Sequence, residues 1–238
     1  MKVIIIGATT GIGRSLAELY ISKGDEVTLT GRRIALLEEI KAQFPNSKVH
    51  IKTIDVADIY SARQTIQKLS EEVKGFDLII INAGVGFQKA TFEEEINTVD
   101  INARGFLAIA NWAYEYFKNK GGGQIAGVSS LAALRGSPYA PEYHATKAFV
   151  SSYMEGLRLR SIKNKHHITI TDIRPGFVDT PMTKQNKGMF WVATPEKASK
   201  QIYEAIEAKK NIAYITKRYF LLAILMKILP QWIYSKVF

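Results

Sequence analysis

The 238-residue chain contains no cysteine and only 4 histidines. Disulfides, thiolate metal sites and cysteine nucleophiles are therefore excluded, and no histidine or carboxylate spacing indicates a metal site, so we expect none. No apolar run has the length of a transmembrane helix, and the run at residues 3–6 is too short for the core of a signal peptide. From these absences we expect a cytoplasmic protein without a metal centre.

Acidic residues are in the minority, since Lys and Arg number 32 and Asp and Glu 22, for a net charge of +10. The basic residues are spread along the chain, and no basic cluster is interleaved with aromatic residues in the manner of a nucleic-acid site. We therefore expect a solvated basic surface and no nucleic-acid partner. An anionic ligand or an anionic membrane surface also fits this charge.

Short apolar segments alternate along the chain with segments of helical periodicity. The apolar segments, predicted to be strands, are 3–6, 27–30, 49–54, 78–81, 124–129, 168–173 and 212–215. The predicted helices are 11–23, 34–44, 59–74, 92–120, 141–163 and 195–209. Parallel neighbouring strands need crossover helices, so this rhythm predicts an α/β domain with a doubly wound parallel sheet. We predict one such domain at 1–216, with an irregular loop at 177–193.

A glycine-rich segment lies between the first predicted strand and the first predicted helix. Glycine permits a tight turn and lets a pyrophosphate approach the backbone, while the helix offers unpaired N–H groups to the phosphates. This position at the strand-to-helix junction favours a Rossmann-type dinucleotide site over an ordinary turn. The predicted cofactor contacts here are Gly7, Thr9, Thr10, Gly11, Ile12 and Gly13.

Four further motifs follow the glycine-rich segment in order. They are Asn82-Ala83-Gly84, Ser130, Tyr143-x3-Lys147, and Arg174-Pro175-Gly176 with Thr180. Together with the Gly-x3-Gly-x-Gly spacing, they make residues 1–215 resemble the short-chain dehydrogenase/reductase family. A departure is Ile6, where the family usually has Thr or Ser. The resemblance implies hydride transfer between a nicotinamide and a carbonyl or alcohol.

The resemblance also implies further cofactor contacts beyond the glycine-rich segment. They are Asp55, Val56, Asn82, Ala83, Gly84, Tyr143, Lys147, Pro175, Gly176, Val178 and Thr180. The type of nicotinamide follows from the end of the second strand, where Arg32 and Arg33 stand and an acidic residue is absent. An acid there binds the ribose 2′-hydroxyl, whereas arginine grips a 2′-phosphate, so we predict NADP(H) in preference to NAD(H).

Tyr143 and Lys147 are four residues apart on a predicted helix and therefore share a face. A nearby ammonium group favours the phenolate, so we expect Lys147 to lower the pKa of Tyr143 toward neutrality for general acid–base work. The resemblance makes Ser130, thirteen residues before Tyr143, the group that binds the substrate oxygen, in preference to Ser129. It makes Asn102 the residue that holds a water for proton relay, although a kink residue bonded to the backbone is an alternative.

Mostly apolar residues are expected around the substrate, namely Phe87, Gln88, 131–134, Tyr139 and 177–182. They favour a hydrophobic ketone, secondary alcohol or acyl-type carbonyl over a phosphorylated sugar. The alternative in a different class is a non-catalytic scaffold protein that binds a dinucleotide and keeps the fold.

The tail at 217–238 is apolar and basic, with four cations, no acid, and Pro230 dividing it into two short helical pieces. Three alternatives are open: an active-site lid, a subunit contact, or peripheral contact with an anionic membrane surface. We also expect a homodimer or homotetramer. The predicted helices 92–120 and 141–163 carry extra apolar residues, among them Trp112, Tyr116, Phe149 and Tyr153, and the resemblance implies that such helices pair across a two-fold axis.

Overall fold

The computed structural model describes residues 1–184, 186 and 188–237, without the side chain of Val237. The strands are β1 (Lys2–Ile6), β2 (Glu26–Gly31), β3 (Val49–Thr53), β4 (Leu78–Ile81), β5 (Gly123–Val128), β6 (Ile168–Pro175) and β7 (Ile212–Ile215). They form one parallel sheet in the order β3-β2-β1-β4-β5-β6-β7. The predicted doubly wound α/β fold is confirmed.

Helices cover both faces of the sheet. They are α1 (Gly11–Ser22), α2 (Ile34–Ala42), α3 (Ile59–Glu72), α4 (Phe92–Val99), α5 (Phe106–Lys120), α6 (Pro141–Lys163), α7 (Pro195–Glu207), α8 (Tyr219–Ile228) and α9 (Gln231–Val237). One buried apolar cluster joins the sheet to α1, α2 and α7, and a second joins the other face to α3, α5 and α6. The apolar runs of β1 and β4 are buried on both faces, as central parallel strands require.

The chain order reverses beside β1, because β2 and β3 lie on one side of it and β4 to β7 on the other. Connections on the two sides leave the sheet in opposite directions. A crevice therefore opens at the carboxyl ends of β1 and β4, which is where ligands bind in open α/β sheets. This topology decides where the residues at the strand ends meet.

The single helix predicted at 92–120 is interrupted in the structure. A π-helical segment, Asp100–Gly105, separates α4 from α5. Within it, the Asn102 side chain bonds the backbone of Val85, at 2.8 Å from the Val85 nitrogen and 2.7 Å to its oxygen. At Gly105 a Cβ atom would stand 2.5 Å from the Val56 carbonyl oxygen. The interruption therefore coincides with close contacts to distant parts of the chain, which the helical periodicity of this segment cannot predict.

Two other elements differ from the sequence prediction. Strand β6 runs to Pro175, two residues beyond the predicted end at 173, because its last residues pair with β7. The segment Leu131–Leu134 forms a short 3₁₀-helix that the sequence did not predict. In the predicted loop 177–193, Val178 and Ala193 form a bridge that closes the loop at its base. Residues 185 and 187 of that loop lie outside the described part of the chain.

The tail contains two helices, α8 and α9, and they are divided at Pro230 as predicted. Tyr219 anchors the first of them, because its fully buried ring lies against Gly176 and its hydroxyl donates to the Phe190 oxygen at 2.7 Å. Phe238, the last residue of the predicted tail, is not among the described residues. Of the helices that are described, none has both the length and the apolar character needed to cross a membrane.

Arg135 ties the tail to the segment that follows Ser130. Its guanidinium donates to the carbonyl oxygens of Met226 at 3.1 Å and Leu229 at 2.9 Å, at the carboxyl end of α8. The same guanidinium lies 4.4 Å from the ring centroid of Tyr234, whose hydroxyl donates to the Gly136 oxygen. A cation here satisfies terminal helix carbonyls and complements the helix dipole. The tail is therefore packed beside the 3₁₀-helix.

Candidate active site

A cavity of about 500 Å³ opens at the crevice between the two halves of the sheet. It gathers most of the residues that the sequence analysis named. Those that line it are Gly7, Thr9, Thr10, Gly11, Ile12, Arg32, Arg33, Asp55, Val56, Asn82, Ala83, Gly84, Ser130, Tyr143, Lys147, Pro175, Gly176, Val178 and Thr180. Two of the predicted site residues, Gly13 and Asn102, do not line it.

Some lining residues were absent from the predicted set. They are Ile6, Gly31, Ile54, Val85, Ile101, Val128, Ser129 and Thr183. Most of them stand one residue from a predicted position at the carboxyl end of a strand, so extending each motif by one residue would have found them. Pro181 and Met182, from the segment expected near the substrate, also line the cavity.

The other residues expected near the substrate lie outside this cavity. Phe87, Gln88, Tyr139 and the 3₁₀-helix do not line it. The backbone N–H of Lys89 donates to the Tyr139 oxygen at 2.9 Å, which joins two of these loops to each other. The 3₁₀-helix packs on α6 and α8. These loops and the 3₁₀-helix therefore contact one another or the helices α6 and α8, and they are not part of the cavity wall.

The glycine-rich turn is closed by contacts that leave no room for side chains. Gly7 has a φ of +89°, and a Cβ atom there would lie 2.7 Å from the Ala83 backbone nitrogen. A Cβ atom at Gly13 would lie 2.0 Å from the Gly7 oxygen, to which Asn82 Nδ2 donates at 2.8 Å. Gly13 therefore permits the approach of α1 to the turn, which explains why it does not line the cavity.

Helix α1 begins at Gly11 on the cavity wall, and its N-cap residue Thr10 gives no side-chain hydrogen bond to the helix. The first N–H groups of the helix are thus left for a ligand, and the helix dipole favours an anion there. A Cβ atom at Gly11 would meet Thr180 at 3.0 Å. This uncapped helix start, framed by glycines, fits the pyrophosphate of a dinucleotide.

Two arginines stand on the wall beyond the glycine-rich turn. Arg33 Nη2 donates to the hydroxyl oxygens of Thr9 at 2.7 Å and Thr10 at 3.2 Å. Arg32 is exposed and makes no hydrogen bond or ion pair with the residues that the structure describes. The acidic group on the cavity wall is Asp55, whose carboxylate accepts from the Ala57 N–H at 3.1 Å. The wall therefore offers two guanidinium groups to an anion.

Tyr143 and Lys147 lie on α6 and line the cavity. The Lys147 Nζ atom lies 5.6 Å from the Tyr143 ring centroid and donates to the Val128 oxygen at 3.0 Å. Burial lowers the pKa of Lys147 to about 8, although the charge of Asp172 acts in the opposite direction. The lysine is thus held at the back of the site by a strand-end carbonyl.

We expected Lys147 to lower the pKa of Tyr143, and this prediction is wrong. Burial raises the pKa of the Tyr143 phenol above its usual value, and the neighbouring Ser130 hydroxyl opposes this shift. The Lys147 Nζ atom lies 5.6 Å from the ring centroid, and the attraction of its charge does not outweigh the desolvation of the phenolate. Tyr143 is therefore held as the neutral phenol, the form that donates a proton.

The two serines at the end of β5 point in different directions. The Ser130 hydroxyl accepts from the Ala132 N–H at 3.1 Å, begins the 3₁₀-helix and stands near Tyr143. The Ser129 hydroxyl instead donates to Asp172 and to the Ile173 oxygen, both on the neighbouring strand β6. Of the pair, Ser130 is the one whose hydroxyl stands beside the phenol.

Asn102 is 1 % exposed and all of its hydrogen bonds are internal. Besides the two bonds to Val85, its Nδ2 atom donates to the Thr146 hydroxyl at 3.2 Å. A Cβ atom at Gly84 would lie 3.2 Å from Asn102 Oδ1 and 3.3 Å from Lys147 Nζ, so these groups enclose the glycine. In this structure Asn102 holds the β4–α4 loop beside the lysine and does not reach the cavity.

In the part of the chain that the structure describes, no group of three or more histidine or acidic side chains could hold a metal ion. A search against family models matches the short chain dehydrogenase model over residues 1–189. The protein belongs to the short-chain dehydrogenase family. It is therefore an oxidoreductase of this family, which uses a nicotinamide dinucleotide and acts on carbonyl or alcohol groups.

Individual proteins and a solved structure are also similar to this chain over most of its length. The NADP-dependent 3-hydroxy acid dehydrogenase YdfG of Escherichia coli (strain K12) is 31% identical over 185 residues, covering 75% of this chain and 73% of that protein. An uncharacterized oxidoreductase of Myxococcus xanthus is 32% identical over 189 residues, covering 77% and 74%. The solved structure of serine dehydrogenase complexed with NADP+ has a TM-score of 0.79 at 26% identity, covering 90% of this chain and 94% of that one.

Proposed function

We propose that the protein uses NADP(H) to interconvert a hydrophobic ketone or acyl-type carbonyl with its alcohol. The observation that carries this proposal is the arrangement of Ser130, Tyr143 and Lys147 on the cavity wall. Bound NADPH would supply the hydride to the carbonyl carbon. The remaining chemistry is the proton transfer to the carbonyl oxygen, and this chain's own side chains are placed for it.

In the proposed step, the hydroxyl groups of Ser130 and Tyr143 hold the carbonyl oxygen of the substrate. Tyr143 donates its proton to that oxygen as the alcohol forms, which leaves the phenolate. The Lys147 cation stabilises this phenolate across the short distance between the two side chains. The raised pKa of Tyr143 suits this direction, because the phenol is protonated at neutral pH.

The preference for NADP(H) rests on Arg32 and Arg33 at the cavity wall. Two guanidinium groups can hold a 2′-phosphate through parallel charge-assisted hydrogen bonds. Arg33 is already oriented by Thr9 and Thr10, so little of its conformational freedom is lost when it binds. The NADP named for a relative and for a solved structure that the chain resembles supports the same choice.

A hydrophobic substrate is supported by apolar residues on the cavity wall. Val85, Val178 and Met182 line it, and Met182 is 43% exposed. We expect NADPH oxidation with ketones and acyl-type carbonyls that carry apolar substituents, and slower turnover with phosphorylated sugars. Spectrophotometric rates with a panel of matched apolar and phosphorylated carbonyls test this. Equal rates across the panel would contradict the substrate class.

We infer a homodimer or homotetramer that pairs through α6. Small residues form a shallow groove on this helix, at Ala145, Ala148, Ser152 and Gly156, and let a second helix approach closely. Phe149 and Tyr153 stack at 5.9 Å beside the groove. Trp112 and Tyr116, the other residues expected to contribute to pairing, stack on Phe76 within the chain and stay partly exposed. Light scattering should give at least a dimer mass, and a monomer at all concentrations would contradict this.

We also infer peripheral contact between the tail and an anionic membrane surface. The outward face of the two tail helices is apolar, with Phe220, Leu221, Ile224, Leu225, Ile228 and Trp232 exposed. At its base, a cleft is lined by the cations Lys197, Lys200, Lys217 and Arg218. Apolar side chains beside cations suit the interface of an anionic leaflet. The tail packs beside the 3₁₀-helix, and that helix begins directly after Ser130 on the cavity wall. A lipid-like substrate would therefore reach the cavity from the membrane side.

The double variant Leu221→Glu/Ile228→Glu tests this contact, because both side chains are 70% exposed and make no core contact. We expect wild-type protein to co-sediment with anionic vesicles and the variant to remain in the supernatant. The control Tyr60→Glu changes an 80% exposed apolar side chain on α3, away from the tail. Wild-type protein that stays in the supernatant, or a variant that sediments equally, would contradict the proposal.

A further inference from the structure

A carboxylate that the proposed chemistry does not use lies directly behind the site. Asp172, on β6, is 0% exposed. Its Oδ1 atom accepts from the Ser129 hydroxyl, and its Oδ2 atom accepts from the Ser151 hydroxyl at 2.7 Å and from Arg174 Nε at 2.7 Å. A buried charge persists only when it is paired and hydrogen-bonded, and here both oxygens have partners.

Each partner of Asp172 belongs to a segment that carries a site residue. Ser129 precedes Ser130 at the end of β5, and Ser151 stands one helical turn after Lys147 on the same face of α6. Arg174 immediately precedes Pro175, which lines the cavity. One side chain therefore joins the ends of two strands and the helix that bears Tyr143 and Lys147.

Arg174 completes this network and neutralises it. Its Nη2 atom donates to the Ser151 hydroxyl at 2.6 Å and its Nη1 atom donates to the Tyr214 hydroxyl at 3.0 Å. The ion pair balances the charges of Arg174 and Asp172 within the network, and Asp172 is the member whose charge acts on Lys147. Such a closed set of charge-assisted hydrogen bonds has one favoured geometry, so it fixes the relative positions of the segments it joins.

The surroundings of Lys147 are otherwise poor in charge. The neighbouring titratable groups are Tyr143 on its own helix and Asp172 on β6, which is itself paired with Arg174. The strand β5 contributes the Val128 carbonyl, and the π-helical segment contributes the neutral amide of Asn102. The negative charge of Asp172 raises the pKa of Lys147 against the effect of burial. Asp172 is thus the nearby anion that favours the charged lysine.

We propose that Asp172 is a positioning residue for the reaction, which holds Ser130 and Lys147 in register through its hydrogen bonds to Ser129, Ser151 and Arg174. This inference rests on the proposed function. A purely structural ion pair would contribute to stability alone. A positioning residue additionally affects kcat and the pH at which activity is lost, with little effect on the affinity for NADPH.

Asp172→Asn keeps the shape of the side chain and removes its charge. We expect kcat to fall at least about tenfold, while the Kd for NADPH, measured by fluorescence, changes less than about threefold. Loss of the negative charge lowers the pKa of Lys147 further. Activity in the reducing direction requires the lysine cation and falls as pH rises through about 8 in wild type, so the variant should lose activity at a lower pH.

The matched control is Asp77→Asn, which removes a carboxylate that binds Lys120 and the Lys2 N–H at the opposite end of the sheet. It should lower thermal stability without moving the pH profile. Ser151→Ala removes one donor to Asp172 and leaves the ion pair intact, so it should reduce kcat in the same direction if Asp172→Asn does not fold. Unchanged kcat and pH profile in Asp172→Asn, or unchanged kcat in Ser151→Ala where the first variant is unfolded, would overturn the proposal.

A measurement without substrate separates this inference from the proposed function. NMR of protein with labelled lysine reports the pKa of Lys147 directly, after assignment through Lys147→Arg. We expect that pKa to be lower in Asp172→Asn than in wild type, because the charge that raises it is removed. If wild type turns over no carbonyl but the pKa still shifts, the proposed function fails and the electrostatic coupling stands. An unshifted pKa contradicts the coupling whether or not the enzyme is active.

Discussion

Replacing Tyr143 with phenylalanine should lower kcat by about 100-fold or more, because general acid–base assistance contributes on the order of 10²–10⁴ to a rate. The substitution removes the phenol oxygen beside Ser130 and leaves the ring, which contacts Gly86, in place. Cofactor affinity should change little, since the glycine-rich turn and the arginine wall are untouched. Steady-state rates with an accepted ketone, together with NADPH titration by fluorescence, measure both quantities.

Tyr139→Phe is the matched control, because Tyr139 is 56% exposed and does not line the cavity. It should retain wild-type kcat. If Tyr143→Phe keeps more than about a tenth of the wild-type kcat, Tyr143 is not the proton donor. Loss of activity in both variants would instead point to a general effect of removing a phenol from this region.

Arg32→Ala/Arg33→Ala should lower kcat/KM for NADPH by at least about 10- to 100-fold, since the loss of even one hydrogen bond to a charged group costs roughly 1.5–3 kcal/mol. The same value for NADH should hardly change, because NADH has no 2′-phosphate for the arginines to bind. The two single variants show how much each arginine contributes to kcat/KM for NADPH. We expect the larger decrease in Arg33→Ala, because Thr9 and Thr10 hold Arg33 in position.

Arg14→Ala serves as the control for this cofactor experiment. Arg14 follows the glycine-rich turn but pairs with Glu18 at 2.9 Å and Glu39 at 3.6 Å, and it does not line the cavity. Its loss should leave the ratio of NADPH to NADH use unchanged. Equal use of the two cofactors by wild-type protein would remove the basis for assigning the phosphate to Arg32 and Arg33.

The architecture could be predicted well because central parallel strands have a clear sequence pattern. Buried on both faces, β1 and β4 appear as unbroken apolar runs, and each is followed by a helix-period segment. The interruption at Asp100–Gly105 gave no periodic signal, although a kink at Asn102 bonded to the backbone was one of the two alternatives for that residue, and the structure shows those bonds. It coincides with the hydrogen bonds of Asn102 to a loop 17 residues earlier in the chain, and periodicity within one segment does not report contacts over that distance.

The site was predictable to a similar degree. Motifs at strand ends could be placed at one crevice, because the carboxyl ends of parallel strands meet there. The role of Gly13 in backbone packing and the raised pKa of Tyr143 were not predictable, since both depend on distances in the folded chain. The same holds for Asp172, which belongs to no motif in the sequence and acquires its partners only when β5, β6 and α6 pack together.

The most direct test of the central claim is to follow the hydride itself. Wild-type protein is incubated with an accepted hydrophobic ketone and NADPH that carries deuterium at both C4 positions, and the product is examined by mass spectrometry. The account predicts an alcohol with one deuterium on the carbinol carbon, formed by wild type and almost absent with Tyr143→Phe. If NADPH binds but no labelled alcohol forms from any ketone or acyl-type carbonyl, the protein is a dinucleotide-binding scaffold and the account is wrong.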